Sequence, residues 1–273
     1  MEDYNYTIGD TLLHVDKVNV SYDGKPILRD LEMKVSDLIR PGHTQGQVDA
    51  VLAPSGTGKT VLFRTISGLK KPDSGQVLMG DKTVVPGMVG VVAQDYPLFN
   101  HLTVLDNMLL AAKVRFKDHK SALEASMTML AQFELDGKVK SYPAELSGGQ
   151  RQRVAILQQM VSCGHLLLMD EPFSGLDILM KQKAQTMITD LAAADELNSI
   201  IITTHDIESA VSVADTIVLI GRERDEAGNP IPGATVRYTY NLVDMGLAWH
   251  PDIERIPAFD ALVKEIKARF REL

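Results

Sequence analysis

Apolar and polar positions alternate along the N-terminal stretches Leu12–Tyr22 (LLHVDKVNVSY) and Ile27–Val35 (ILRDLEMKV), which are separated by the turn sequence DGKP. That period of two predicts an antiparallel strand pair. A short continuous apolar run, QVDAVLA (47–53), reads as a buried strand feeding a glycine-rich loop. The helical pattern KTVLFRTISGL follows and stops at Gly68. GQVLMGDKTVV (75–85) and GMVGVVA (87–93) supply further strands.

The pattern changes between about 100 and 160. TVLDNMLLAAKV opens with Thr103 and Asp106, a capping-box-like pair, and SALEASMTMLAQF is a second amphipathic helix. We read this as a helical insertion in one domain spanning 1–273. Beyond it, HLLLM, Ile178–Ala193, SIIIT, Ile207–Val213 and DTIVLI alternate strand and helix, the rhythm of βαβ units on a parallel sheet. A C-terminal extension over about 221–273 begins with a polar, turn-rich surface hairpin or loop (221–233). It ends in a helix over Pro257–Leu273 with Phe259, Leu262, Val263, Ile266 and Phe270 on one stripe. The stripe is expected to pack on the protein's own body.

Composition narrows the classes. Of 273 residues 45% are hydrophobic, enough for a real core, and the formal net charge of −8 argues against a nucleic-acid partner. The single cysteine, Cys163, excludes an internal disulfide and fits a small apolar residue before a strand. No apolar run approaches the ~18 residues of a membrane helix. The acidic, polar start MEDYNYTIGD is unlike a secretion signal, so a cytosolic protein is expected.

The chemistry lies in APSGTGKT, Ala53 to Thr60, placed between strand and helix. Gly56 and Gly58 let the backbone curl so that its N–H groups face phosphate oxygens, as part of the loop Pro54, Ser55, Gly56, Thr57 and Gly58. Lys59 supplies a point charge to the outer phosphates, and Thr60 offers a hydroxyl to Mg²⁺. In HLLLMDEP, Asp170 and Glu171 end an apolar strand. Asp170 can hold Mg²⁺, and Glu171 can orient or deprotonate a water. His205 and Gln94 follow other strands; the first can reach a γ-phosphate, the second can touch Mg²⁺ or water. The other six histidines have no metal-ligand spacing. LSGGQRQR (146–153) is a second helix start whose backbone N–H groups, those after Ser147, read as bare, again suited to an anion.

Together these stretches resemble the ATP-binding cassette (ABC) ATPases, the motor subunits of ABC transporters, from about Leu12 to Ile220. The LSGGQ signature is the discriminating motif. The resemblance implies an α/β fold: a P-loop NTPase (RecA-like) parallel sheet core with an N-terminal antiparallel β subdomain and an inserted α-helical subdomain. It implies ATP and Mg²⁺ as cofactors and Tyr22 as the aromatic that stacks on adenine. It further implies a head-to-tail dimer, with itself or a paralogous subunit. There the signature residues Ser147, Gly148, Gly149 and Gln150 of one subunit, with Asp177 of its SGLD loop, meet the ATP on the other's P-loop. Integral-membrane permease subunits and a solute-binding protein are the implied partners, at the inner face of the cell membrane, with a lean toward bacterial importers of small polar or anionic solutes. Three positions depart from the pattern. Ala53 stands for a glycine, which is tolerable if φ stays negative. Val61 stands for a second hydroxyl, leaving its α-phosphate contact to backbone. Residues 36–47 read as an extended turn. A soluble ABC ATPase acting outside transport is the alternative; a P-loop kinase or GTPase would leave LSGGQ unexplained.

Overall fold

A computed structural model describes residues 6–40, 46–93, 97–248, 250 and 252–273. The N-terminal strands are β1 (Thr7–Tyr22) and β2 (Lys25–Ile39), joined by the two-residue turn Asp23–Gly24 with φ of 50° and 74°. Two successive positive φ values make the tight turn whose twist matches a hairpin, which is why Asp-Gly sits there. β3 (Gln47–Leu52) leads into α1 (Lys59–Ile66). Then come β4 (Ser74–Met79), β5 (Lys82–Thr83) and β6 (Gly90–Val92). Helices α2 (Val104–Ala112), α3 (His119–Gln132) and α4 (Gly148–Cys163) separate β6 from β7 (Leu166–Asp170). The chain ends α5 (Ile178–Ala193), β8 (Ser199–Thr204), α6 (Ile207–Val213), β9 (Thr216–Arg224), β10 (Pro230–Asn241) and α7 (Pro257–Phe270).

Among the described residues ten strands form one sheet in the order β5-β4-β1-β2-β10-β9-β3-β8-β7-β6. β6, β7, β8, β3 and β9 run parallel, and β1, β2, β4 and β5 pair antiparallel. β10 is the seam: it is antiparallel to β9 and touches β2 at Ala234 and Leu28. One core lies on the α2–α7 side of the sheet and a second on the α1 side. The Thr103 cap is formed, its hydroxyl accepting from Asp106 N at 3.1 Å.

One expectation changes. Ser36–Ile39 belong to β2 rather than to a turn, because β1 pairs with β2 as far as Ile39 and the Gln47 amide bonds both Leu38 N and Ser36 O at 2.8 Å. Residues 41–45 lie outside the described residues. The polar 221–233 stretch is a hairpin, mostly strand, with its turn pinned by the bond from Asp225 N to Asn229 O at 2.9 Å. The α7 stripe does face inward: Phe259, Leu262, Val263 and Ile266 are buried.

Candidate active site

The central strands explain where the chemistry gathers. Adjacent parallel strands β3, β8 and β7 are in a register that sets Leu52 level with Thr204, and Thr203 level with Asp170. Their carboxyl ends open at one edge, where open α/β sheets take ligands. Ala53 keeps φ out of the left-handed region and is fully buried, so alanine fits that position. Thr57 braces the loop by donating its hydroxyl to Pro54 O at 2.6 Å. Gly56 and Gly58 have φ of 82° and 100°. A Cβ at Gly58 would lie 2.8 Å from Ile27 Cγ2, whereas none of the surroundings comes within 4 Å of one at Gly56. Gly58 thus serves both a turn and a close approach to β2, and Gly56 leaves an open cradle. No side chain caps α1, so its first N–H groups point into that cradle.

Lys59 Nζ sits on Glu171 Oε1. The Glu171 carboxylate also accepts from Thr204 Oγ1 at 3.0 Å and lies 2.9 Å from His205 Nδ1. Burial pushes the Glu171 pKa up, but the hydrogen bonds and charges of Lys59 and His205 outweigh it and hold it below the ordinary carboxylate value. Glu171 has φ of 48°, a left-handed conformation held by the bond from its N–H to Thr203 O at 2.8 Å. Thr203 Oγ1 donates to Asp170 Oδ1 at 2.7 Å. Oδ2 of Asp170 has no hydrogen bond among the described residues, and Thr60 is exposed.

The other expected residues occupy defined places. Tyr22, at the end of β1, is 43% exposed, with Lys70 Nζ 4.8 Å from its ring centre. Val61 is the third residue of α1. Ser147 caps α4: its hydroxyl accepts from Gln150 N at 3.3 Å, and the Gln150 amide oxygen accepts from Ser147 N at 3.0 Å. A Cβ on Gly148 or Gly149 would meet nothing within 4 Å. Among the described residues no hydrogen bond or ion pair joins 147–150 to the 53–61 loop, so the two helix starts are separate within one chain. Asp177 caps α5, accepting from Met180 N at 2.8 Å. Gln94 lies outside the described residues.

Sequence reading missed Thr203 and Thr204, which brace the two acids, and the pair formed by Lys181 Nζ and Asp206 Oδ2 at 2.5 Å. The sequence TTHD at the end of an apolar run was the available signal; only the parallel pairing of β7 with β8 reveals what the threonines touch.

A family model described as ABC transporter matches residues 42–174. The chain is 33% identical over 263 residues to a sulfate/thiosulfate import ATP-binding protein of Rhizobium meliloti, covering 88% of this chain and 69% of that one. The chain belongs to the ABC transporter ATP-binding subunits. An aliphatic sulfonates import ATP-binding protein of Nocardia farcinica is 39% identical over 66% of this cassette and 69% of its own length. The cassette spans 55 to 69% of the length of the sulfate/thiosulfate relatives. Its fold is that of cbiO1 from Clostridium perfringens, described as part of the ABC transporter complex cbiONQ: TM-score 0.71, 23% identity, 93% of this chain and 99% of that one. Such a cassette binds ATP and is an ATPase. No helix among the described residues is long and apolar enough to cross a membrane.

Proposed function

We propose that the cassette drives a bacterial importer by closing and opening as a dimer around two shared ATP molecules. The observation that carries this reading is the open α4 start: a Cβ added at Gly148 or Gly149 would meet nothing within 4 Å, and no bond among the described residues ties them to the P-loop. Glycines that no internal packing requires suit an anion arriving from outside, held on uncapped N–H groups with roughly 0.3–2 kcal/mol of dipole stabilisation.

In this reading the loop from Pro54 to Val61 cradles the phosphates by backbone N–H, and Tyr22 offers its exposed ring to adenine. Thr60 and the free Oδ2 of Asp170 would hold Mg²⁺, hard oxygens beside phosphate oxygens; when bound, the ion neutralises charge on the phosphates. Lys59 moves from Glu171 to the outer phosphates, which leaves Glu171 ionised and able to orient and deprotonate the attacking water. His205, 2.9 Å from that carboxylate, positions it and contacts the γ-phosphate. Gln94 senses Mg²⁺ or water, and Asp177 meets the partner cassette. Residues of about 100–160 form the helical subdomain, and 221–273 the C-terminal extension.

The named activities of the relatives favour a small sulfur oxyanion or sulfonate as the cargo of the membrane permease and a solute-binding protein. The cassette would then sit at the inner membrane face. Phe99, 49% exposed in the segment after Gln94, is the candidate permease contact. With MgATP, Glu171→Gln should elute as a dimer in gel filtration, and adding Ser147→Arg should return it to a monomer. A dimer that survives Ser147→Arg would refute the shared-site reading.

A further inference from the structure

Where the β9–β10 hairpin meets the end of α7 there is a cavity of about 440 Å³ whose lining includes Arg222, Arg224, Arg237 and Arg271. It lies on the α7 side of the sheet, its Tyr238 and Leu273 walls packing on that core, whereas α1 packs on the other. In a chain of net charge −8, four guanidiniums around one cavity call for counter-charge.

The structure supplies little. Glu223 is shared between Arg29 and Arg237, whose Nη1 it meets at 2.8 Å. Arg224 donates to two neutral carbonyls, Glu272 O at 3.0 Å and Gly228 O at 2.9 Å. Glu265 is committed to Arg269, which lies over the Tyr238 ring at 4.1 Å. Asp225 is occupied by the turn of the hairpin. Glu272 is the acidic side chain in the lining, and it forms no ion pair among the described residues. The side chains of Arg222 and Arg271 have neither hydrogen bond nor ion pair there, and Arg237 Nε is buried without a partner. Even with Glu272, Glu223 and the α-carboxylate of Leu273 charged, the four guanidiniums leave the lining positive.

We propose that this pocket binds a multivalent phosphate-type oxyanion, with Arg222, Arg237 and Arg271 as its principal donors. Planar guanidinium forks match tetrahedral oxyanions two bonds at a time, and Arg222 and Arg271 offer donors with no existing partner among the described residues. The cavity exceeds one tetrahedral ion and falls within the usual range for small-ligand sites. The chemistry is shared by a soluble polyphosphate and by a lipid phosphate headgroup.

The test uses the full chain, saturated with ADP in magnesium-free buffer so that the P-loop is occupied. Pyrophosphate is titrated calorimetrically, and vesicles of phosphatidylcholine with or without phosphatidic acid are tested by co-sedimentation. The Arg222→Ala/Arg271→Ala variant should lose at least ~10-fold in affinity, about 1.4 kcal/mol. The Arg222→Lys/Arg271→Lys variant should fall between, because charge remains but the fork is gone. Since neither side chain makes a hydrogen bond or ion pair among the described residues, the melting temperature should change little. Variant-sensitive binding of pyrophosphate assigns a soluble anion; variant-sensitive binding of phosphatidic acid vesicles alone assigns a lipid phosphate. Equal binding by parent and alanine variant in both arms, or none by the parent in either, overturns the site.

Discussion

Replacing Glu171 with glutamine should tighten ATP binding while stopping turnover. In the structure Lys59 is held by Glu171, both side chains being less than one-fifth exposed. Nucleotide must draw Lys59 away from this partner before it can reach the phosphates. A charge-assisted hydrogen bond is worth about 1.5–3 kcal/mol, and glutamine accepts one without the charge. Removing the charge should therefore release one to two kcal/mol of competition, roughly a tenfold gain in affinity. Loss of the base should cut hydrolysis about 10²–10⁴-fold. Fluorescence titration with a non-hydrolysable ATP analogue, at protein concentrations low enough to keep the chain monomeric, measures the first; phosphate release measures the second. The pH dependence has a definite sign. Because Glu171 has a depressed folded pKa, the stability it contributes is present above the ordinary carboxylate value and lost as pH falls through the folded one. The melting difference between parent and Glu171→Gln should accordingly shrink in acid. An analogue affinity that is unchanged or weaker in Glu171→Gln would refute the competition between Glu171 and phosphate for Lys59.

Three further outcomes are expected. Tyr22→Ala should weaken ATP binding by roughly 1–3 kcal/mol in calorimetry and Tyr22→Phe hardly at all, since stacking uses the ring face; an equal loss in Phe would indicate a hydroxyl contact instead. Lys181→Met should lower the turnover number more than ATP affinity, because Lys181 anchors Asp206, the neighbour of His205; a pure affinity loss would contradict this. Asp49 is buried in β3, where desolvation first and the charge of Asp215 push its pKa up to about 7 against the Gln47 hydrogen bond. Its stabilising effect is therefore present below the ordinary carboxylate range and lost as pH rises to about 7. Asp49→Asn should gain stability on the parent as pH rises from 5 to about 7, by at most about 3 kcal/mol at ~1.36 per unit, and hold that gain to pH 8 in denaturant melts; a pH-independent gap would show Asp49 ionised throughout.

The strands, the P-loop and the acids at the end of β7 were legible because each rests on local pattern: a period of two, a continuous apolar run, glycines at turn positions. The start of α4 was legible as a capped helix N-terminus, since serine, two glycines and glutamine are a capping sequence. What stayed hidden depends on register between distant segments. Thr203 and Thr204 read as the end of a strand until β8 is laid beside β7. The closure of the sheet through β10 rests on a contact between Ala234 and Leu28, which no local periodicity encodes. Residues 36–39 were read as turn because their alternation fades, although the Gln47 side chain, eight to eleven residues on, keeps them in the strand.

The shared nucleotide site is tested most directly by mixing two inactive variants, Lys59→Ala and Ser147→Arg. The first disables a P-loop and the second fills the open face of a signature helix. If both elements served one nucleotide within one chain, a mixed dimer would contain two broken sites. If they act across the dimer, it contains one doubly broken site and one untouched site. That site joins the P-loop of the Ser147→Arg chain to the signature of the Lys59→Ala chain. Vanadate trapping of labelled nucleotide should therefore appear in the mixture, near one nucleotide per mixed dimer, and be absent from each variant alone. Trapping no higher in the mixture than in its components, with mixed dimers shown to form, would contradict the account.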